Sequence, residues 1–500
     1  MREWARPEME GATLWDRRCN ESAIRIVESL AEHWEDSFST ATGQAGRQAA
    51  GNICSDGGTS PEDLLRGHVY QTAERCRAYP LVLVDQDTTS FNFSSLKASR
   101  GFGPINRDAQ SLGFFLHSAF ALSPDGLPLG VLAARTWVRD PAAHGQHRER
   151  RHWAVAAKES QKWLDVLADV EEALDPEIPV LLIQDRESDE YTFLAAPRRA
   201  QTQLLLRACH PRCVEVEASE PGERTRKGKL LELAGAAPVA ARMTVWVPLK
   251  EKGAQAAAIK AKVREEYGER LLPAQRRKRP VVLEVRYQRI RIFAPGNWKA
   301  PEEWAPEEVR RSVEMTVIHA EEVDAPEGAE PVKWVLLTTV PIDRAEDACR
   351  MVTYYALRWR IERFHYTLKS GCRVEKLQGQ EAHTIINKVA LCCVAAWRLM
   401  LLTYLGRAAP ETPAAEVLSD EELAVLRQKT GRRVETVREA TIAIARLGGF
   451  EPHRSAGDPG LKSLWLGLAR LQAMAEGYRL ACAMMRLEGP AAMHSILSGL

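Results

Sequence analysis

Residues 354–369 read YYALRWRIERFHYTLK and combine two patterns on one predicted helix. At about 100° per residue, one narrow arc of the helical wheel holds four polar side chains: Tyr355, Arg358, Glu362 and Lys369. The opposite side holds four apolar ones: Leu357, Ile361, Phe364 and Leu368. The apolar face predicts packing against a core, and the polar face, about four turns long, remains available for chemistry. A solvated surface with an ion pair between Arg358 and Glu362 is the alternative.

The spacing Y-x-x-R-x-x-x-E-x-x-x-x-x-x-K of that polar face resembles the signature of the insertion-sequence-four family of bacterial cut-and-paste transposases. Within the family, the words RWRIE and FH are most similar to the transposon-five members, which form hairpin ends. The resemblance covers residues 17–467. Tyr366 is a departure, because those members have a lysine after the FH word. A further departure is the long charged segment near residues 250–275, for which the sequence suggests no role.

Composition indicates a globular protein with no overall attraction to nucleic acid. The 500 residues are 45% hydrophobic and 27% charged, enough for roughly two to four domains with a substantial core. The 68 basic and 67 acidic residues leave a formal net charge of +1. Any electrostatic attraction to DNA must therefore come from local basic patches.

The sequence also suggests where the protein works. No run of about 18 apolar residues is evident, and the charged start MREWARPEMEG lacks the apolar core of a signal peptide. We expect a cytoplasmic, nucleoid-associated bacterial protein without membrane contact.

The ten cysteines include no C-x-x-C pair, which argues against a disulfide framework and a zinc ribbon. Only Cys209-His210-x-x-Cys213 has metal-like spacing, and a second ligand pair is missing nearby.

Two apolar segments each end in an aspartate. Residues 81–87 (LVLVDQD) and 178–185 (IPVLLIQD) read as buried strands with exposed carboxyl ends. The words that follow, TTS after Asp87 and RESD after Asp185, resemble the family's D-T-T-S and D-R-E-x-D. The resemblance therefore implies that Asp87 and Asp185, together with Glu362, are the catalytic carboxylates and metal ligands.

Asp85 lies on the same strand face as Asp87, and a supporting role for it stays open.

The order of elements predicts an α/β fold. A hairpin at about 113–137 and a helix at about 153–174 separate the two aspartate strands. Strand, hairpin, helix and strand is the order of an RNase H-like domain, a fold that the resemblance implies and the pattern permits. From about 213 to 343 the segments alternate as strands do, which predicts a mainly β insertion into this core.

The resulting organisation has three parts. A helical DNA end-binding domain covers 1–72, an RNase H-like catalytic domain covers 73–395 with the β-rich insertion at about 210–343, and a helical dimerisation domain covers 396–500. The two terminal functions follow from the resemblance. Composition alone is equally compatible with a helical packing unit at one end and a helical cap at the other.

The resemblance further implies a set of DNA contacts. Tyr355, Arg358 and Lys369 would hold phosphates of the strand flanking the scissile bond, and Arg207, shortly before His-Pro-Arg, would lie beside the active site.

Two tryptophans would stabilise a base turned out of the duplex: Trp334, in the word KWVLLT, and Trp359. A core or cap role is the alternative for Trp359. The basic run RRKR at 276–279 is a further phosphate-binding candidate, with a solvated loop as its alternative.

The expected reaction is phosphodiester cleavage and joining on double-stranded DNA. Two Mg²⁺ ions about 4 Å apart, for which Mn²⁺ would substitute, would be held by the three carboxylates. The resemblance implies nicking, hairpin formation and opening, and strand transfer by a homodimer that pairs inverted-repeat ends with target DNA. Two alternatives remain open: an RNase H-like nuclease without strand transfer, and a catalytically silent DNA-binding remnant or inhibitor.

Overall fold

The computed structural model describes residues 4–12, 14–34, 36–106, 110–143, 159–216, 225–248, 253–268, 278–326, 330–452 and 457–488. The chain forms two compact units. The helical unit comprises Met1–Gln71, Phe91–Phe102 and Phe364–Leu500, and the sheet unit comprises Thr72–Ser90 and Gly103–Arg363. The division between Arg363 and Phe364 falls inside residues 354–369, which we call the signature segment. It does not test the predicted domain borders at 72/73 and 395/396, which stay predictions.

Within the described residues the helices are, in chain order, α1 (Ala5–Met9), α2 (Arg17–Glu32), α3 (Phe38–Ala41), α4 (Gly43–Ser55), α5 (Pro61–Cys76), α6 (Gln161–Ala173), α7 (Tyr191–Leu194), α8 (Leu230–Ala236), α9 (Gly253–Tyr267), α10 (Ala345–Leu357), α11 (Trp359–Tyr366), α12 (Ala382–Ala408), α13 (Asp420–Thr430), α14 (Val437–Leu447) and α15 (Leu461–Glu488). The strands are β1 (Val82–Asn92), β2 (Gly103–Pro104), β3 (Leu112–Leu122), β4 (Pro128–Trp137), β5 (Val180–Gln184), β6 (Thr202–Arg207), β7 (Cys213–Val216), β8 (Arg226–Lys229), β9 (Ala241–Pro248), β10 (Lys278–Phe293), β11 (Ser312–Glu322) and β12 (Lys333–Thr338). The predicted α/β class and the helical carboxyl-terminal region are confirmed.

The helical unit is built around α12, whose side chains are buried on most sides. Helices α2, α4, α14 and α15 pack against it. Asn387 fixes one end of α12, because its side-chain amide donates to the carbonyls of Cys54 and Thr59, at 3.0 Å each. The shorter helices carry their own start signals. Ser419 with Glu422 and Thr436 with Glu439 form capping boxes on α13 and α14.

Helix α12 is also long and apolar enough to cross a membrane, with mean hydropathy 1.8 over 18 residues. The expectation that the chain lacks such a stretch is wrong for this helix. However, 78% of that window is buried inside the protein. Core helices of globular domains pass the same test of length and composition, so this helix is weak evidence for a membrane span.

The sheet unit contains one continuous sheet with the strand order β2-β3-β1-β5-β6-β12-β11-β10-β7-β8, in which β4 pairs with β3 and β9 with β10. Strands β1, β5 and β6 are parallel. The predicted hairpin is confirmed, since β3 and β4 pair antiparallel. Helix α6 packs on both of its strands.

The predicted β-rich insertion does not form a sheet of its own. Strand β12 pairs antiparallel with β6, and the other insertion strands continue outward from it. Local alternation predicted β9 to β12 but neither β7 nor β8, and it could not show their partners, because pairing depends on residues far away in the chain. The insertion is also not purely β: α8 and α9 pack on β10.

The signature segment differs from the single helix predicted. Helix α10 ends at Leu357, α11 starts at Trp359, and a π-helical turn follows at Thr367–Gly371. The predicted core face is largely confirmed by Ile361, Phe364 and Leu368, which are fully buried. Tyr355, predicted on the open face, is buried as well. Periodicity identifies the core-facing side chains but not the interruption, since Arg358 itself keeps a right-handed helical conformation (φ −49°, ψ −27°).

Candidate active site

The two candidate aspartates stand at one edge of the sheet. Strands β1 and β5 run parallel, with Asp85 paired to Ile183. Two residues further along each chain segment stand Asp87, still within β1, and Asp185, just beyond the end of β5. The parallel register therefore makes Asp87 and Asp185 neighbours. The predicted strand end is correct for Asp185 but wrong for Asp87, because β1 continues to Asn92.

Glu362 reaches the same place from α11, through Arg358. The Arg358 guanidinium lies 2.6 Å from Glu362 (Nη2 to Oε1) and 3.7 Å from Asp87 (Nη1 to Oδ2). Asp185 also acts on this guanidinium electrostatically. Arg358 thus links Glu362 to Asp87, and Asp185 acts on the same guanidinium without a contact of its own; the Arg358–Glu362 pair forms part of this cluster. In the described residues the oxygens of the three carboxylates do not all lie within 4.8 Å of one another.

Each aspartate is oriented by the backbone that follows it. The Thr88 N–H donates to Asp87 Oδ1 at 2.9 Å, and the Glu187 N–H donates to Asp185 Oδ1 at 2.8 Å. In the second case Asp185 caps the 3₁₀ turn at Arg186–Ser188. These bonds fix how the carboxylates project from the sheet edge.

Burial and the repulsion between carboxylates shift the pKa values of the cluster. Burial raises the pKa of Asp87 to about 6, with Arg358 opposing the rise and Asp185 and Glu362 adding to it. Burial also raises the pKa of Asp185, against the Glu187 N–H. Burial alone would lower the pKa of Arg358, but the surrounding acidic groups outweigh it and raise that pKa. Arg358 thus offsets part of the carboxylate charge, and Lys162 acts in the same direction on Asp185.

Asp85 has a different environment, although it shares the face of β1. It is fully buried, and neither of its carboxylate oxygens has a hydrogen-bond partner among the described residues. Burial raises its pKa to about 8, against Arg358 and Arg360. At neutral pH we therefore expect Asp85 to be protonated and uncharged.

The DNA-contact candidates Tyr355, Arg207 and Trp334 lie next to the carboxylates. Burial raises the pKa of Tyr355, against the charges of Arg358 and Arg207. Burial lowers the pKa of Arg207, and Tyr355 partly opposes this shift. The Arg207 guanidinium donates a hydrogen bond to the Lys333 carbonyl at 3.0 Å. The Trp334 ring meets Tyr355 edge-on, with centroids 5.5 Å apart.

Two other predicted contact residues have contrasting positions. Trp359 is 45% exposed, which contradicts the alternative of a core residue. Lys369 belongs to the helical unit, in the π-helical turn, with its ammonium 5.7 Å from the centre of the Phe91 ring. Burial lowers the pKa of Lys369, against Glu375.

The basic run at 276–279 is only partly within the described residues. Its first two arginines lie outside them, and Lys278 begins β10. Arg279 is buried and bound to Glu322 by both guanidinium nitrogens. The expectation that this arginine offers its charge to phosphate is therefore wrong.

The metal-like spacing at Cys209-His210-x-x-Cys213 brings two of its residues, Cys209 and His210, to Asp189. The possible ligand atoms of these three residues lie within 4.8 Å of one another. The Asp189 oxygens are already used, however: one meets Arg212 Nη2 at 2.5 Å and the other accepts from the backbone N–H groups of Cys209 and His210. This ion pair joins the RESD and HPR words, a link that the sequence analysis missed.

Divalent metal fits the donors at the sheet edge. All three candidate ligands offer carboxylate oxygens, which Mg²⁺ and Mn²⁺ prefer. Their oxygens do not all lie within 4.8 Å of one another in the described residues, so the fit rests on the chemistry of the donors and on the closeness of Asp87 and Glu362 to Arg358.

Family models match the two ends of the chain. Residues 1–51 match the model described as transposase DNA-binding, and residues 394–487 match the Tn5 transposase dimerisation domain. The first segment holds α1 to α3 and most of α4, and the second runs from within α12 nearly to the end of α15. These matches support DNA binding, dimer formation and a Tn5-like DNA transposase.

Proposed function

We propose that this protein is a DDE transposase of the insertion-sequence-four family that moves its element by cut and paste. Asp87, Asp185 and Glu362 would be its catalytic residues. The observation that carries the proposal is that Arg358 contacts Asp87 and Glu362, from distant parts of the sequence, and is also acted on electrostatically by Asp185, which the parallel strand register makes a neighbour of Asp87. The matches to DNA-binding and dimerisation domains at the two ends supply the context for that cluster.

An RNase H-like core is part of the proposal. Its support is the strand order β4-β3-β1-β5-β6, in which the hairpin precedes α6 and the parallel strands carry the aspartates. In such a sheet, function concentrates where parallel strands end.

The three carboxylates would hold two Mg²⁺ ions, or Mn²⁺ in their place. When bound, such a pair activates the attacking oxygen and stabilises the leaving oxygen. Arg358 offsets part of the carboxylate charge and holds Glu362 in place through a bond of 2.6 Å. The buried Tyr355 beside Arg207 and Arg358 would bind the phosphate next to the scissile bond. Lys369 would contact the same strand.

The proposed sequence of steps is nicking, hairpin formation, hairpin opening and joining of the 3′ ends to target DNA. Trp334 and Trp359 would stabilise the base that leaves the stack at the hairpin, an effect on the order of 1–3 kcal/mol per base. The partners are two inverted-repeat ends, target DNA and a second copy of the chain, in a bacterial cytoplasm beside the nucleoid.

The carboxylates can be tested one at a time with the full-length protein and a labelled end fragment. Asp87→Ala, Asp185→Ala and Glu362→Ala should each remove Mg²⁺-dependent cleavage while end binding in a mobility-shift assay stays near that of the unchanged protein. The control is Asp175→Ala, because Asp175 is an exposed carboxylate of the same unit that is bound to an arginine, Arg77. Undiminished excision by the Glu362 variant would refute the proposal.

The same gel separates the alternatives. Joined strand-transfer product distinguishes a transposase from a nuclease that stops at hydrolysis, and absence of all cleavage by the unchanged protein indicates a silent remnant or inhibitor. Trp334→Ala should slow hairpin formation more than the first nick. Equal slowing of both steps would count against a base-stacking role.

A further inference from the structure

Lys162, the second residue of α6, is held in an unusual position for a lysine. Its side chain is only 11% exposed, and Nζ lies 3.1 Å from Glu187 Oε2. The ammonium also stands over two indole rings, 5.5 Å from the centre of Trp137 and 5.3 Å from that of Trp163. A partly desolvated ammonium is stabilised by such rings and by its carboxylate partner. The Glu187 side chain is thereby tied to α6.

The next residue of α6, Trp163, is connected through His117 to Thr88, the residue that follows Asp87. Its ring is buried and meets the His117 ring edge-on, with centroids 4.4 Å apart. His117 is fully buried in β3, and its Nδ1 lies 2.9 Å from the Thr88 hydroxyl. The Thr88 side chain is thereby tied to the same part of α6.

The two aspartates are therefore supported in the same way. The residue whose N–H binds Asp87 is Thr88, and the residue whose N–H binds Asp185 is Glu187. Each of these two residues is held through its side chain, Thr88 by His117 and Glu187 by Lys162. Both holding residues contact Trp163.

We propose that Lys162, Trp163 and His117, which we call the support cluster, are positioning residues that fix the spacing of Asp87 and Asp185. The inference rests on the proposed function, because the spacing matters only if both aspartates bind metal. None of the three would touch the metal or the DNA. They orient the ligands through Thr88 and Glu187, in the manner of residues behind the ligands at metal sites, and Lys162 in addition acts on Asp185 through its charge.

Lys162→Met is the main test, since methionine keeps an unbranched apolar chain between the indoles and removes the charge that binds Glu187. Binding of Mn²⁺ to the DNA-free protein, followed by electron paramagnetic resonance, should weaken roughly tenfold. Lys162→Arg should recover most of the affinity because it keeps the charge. Glu187→Gln should weaken binding as Lys162→Met does, and the double variant should be no worse than either single one.

The matched control is Lys227→Met. Lys227 also pairs with a carboxylate, Glu215 at 3.8 Å, and lies 5.6 Å from the Phe293 ring, in β8 of the same unit. Its loss should leave Mn²⁺ binding unchanged. Thermal unfolding of each variant reports whether the fold survives.

The outcomes separate the inference from the proposed function. If Asp87→Asn and Asp185→Asn bind Mn²⁺ like the unchanged protein, the proposed function fails. If both lose Mn²⁺ but Lys162→Met binds normally, only the support cluster is refuted. If Lys162→Met does not fold, Glu187→Gln decides, because Glu187 is 64% exposed and its change removes the same ion pair from the outside.

Discussion

Asp85 and Asp87 show that the surroundings of a carboxylate determine its pKa and its expected charge. They lie two positions apart on one strand, so sequence pattern alone treats them alike. In the structure, Asp85 is fully buried with a pKa of about 8, whereas Asp87 is partly exposed, touches Arg358 and has a pKa of about 6. One is expected to be neutral at pH 7 and the other ionised.

This difference predicts the pH dependence of metal binding. Burial raises the Asp87 pKa to about 6, so a proton competes with Mn²⁺ below that pH and the competition ends above it. Mn²⁺ affinity should rise up to about tenfold per pH unit as the pH approaches 6, and then level off.

Asn variants at the two positions test the assignment. Asp85→Asn should keep the Mn²⁺ affinity and its pH profile, since an amide resembles the protonated acid. Asp87→Asn should bind weakly at every pH. Paramagnetic resonance titrations at about pH 5 to 8 would measure both, and equal losses in the two variants would contradict the assignment.

The words after the aspartates allowed the candidate site to be predicted residue by residue through the family resemblance. The apolar runs before Asp87 and Asp185 read as strands that meet at one edge, although β1 continues past Asp87 to Asn92. The pattern could not reveal the raised pKa of Asp85 or the burial of Lys162. Both depend on side chains from other elements. His117 had a weak signal, as the only ionisable residue in β3, whose other residues are apolar apart from Ser118.

At the scale of elements, periodicity predicted which face of the signature segment is buried but missed its breaks. Packing gives a reason at the π-helical turn. A Cβ on Gly371 would lie 3.2 Å from Trp465 and 3.3 Å from Trp34, so the two indole rings pack directly against the backbone at this position. Such contacts come from distant helices of the unit and leave no local pattern.

The crossing of α14 and α15 supplies a prediction about glycines within one helix. A Cβ on Gly467 would lie 1.8 Å from the Ile444 carbonyl oxygen, whereas one on Gly477 would meet nothing within 4 Å. Gly467→Ala should therefore force the helices apart and destabilise the protein by roughly 1–3 kcal/mol. Gly477→Ala should be neutral or stabilise by up to about 1 kcal/mol through helix propensity.

Chemical denaturation of the two variants checks the direction of both predicted changes in the free energy of unfolding. The pair is matched, because each change adds one methyl group to α15. If Gly467→Ala is as stable as Gly477→Ala, the close crossing of the helices does not exist in solution.

For the whole molecule, the end of α15 is the clearest unpartnered surface in the described chain. Beyond Ala475 the helix carries large apolar side chains that are 40–61% exposed: Tyr478, Leu480, Met484 and Met485. Apolar side chains grouped in this way mark an interaction site. The match to a dimerisation domain runs through residue 487 and so includes this surface.

We therefore expect the end of α15 to contribute to self-association. Leu480→Glu, alone or with Met484→Glu, should weaken the dimer by more than about tenfold, because each adds a charge to an apolar contact. Stability of the monomer should change little, since Leu480 is 61% exposed. Leu231→Glu in α8 is the control, as an exposed leucine outside the matched segment. Sedimentation equilibrium measures the association, and a Leu480→Glu protein that dimerises like the unchanged chain would place the interface elsewhere.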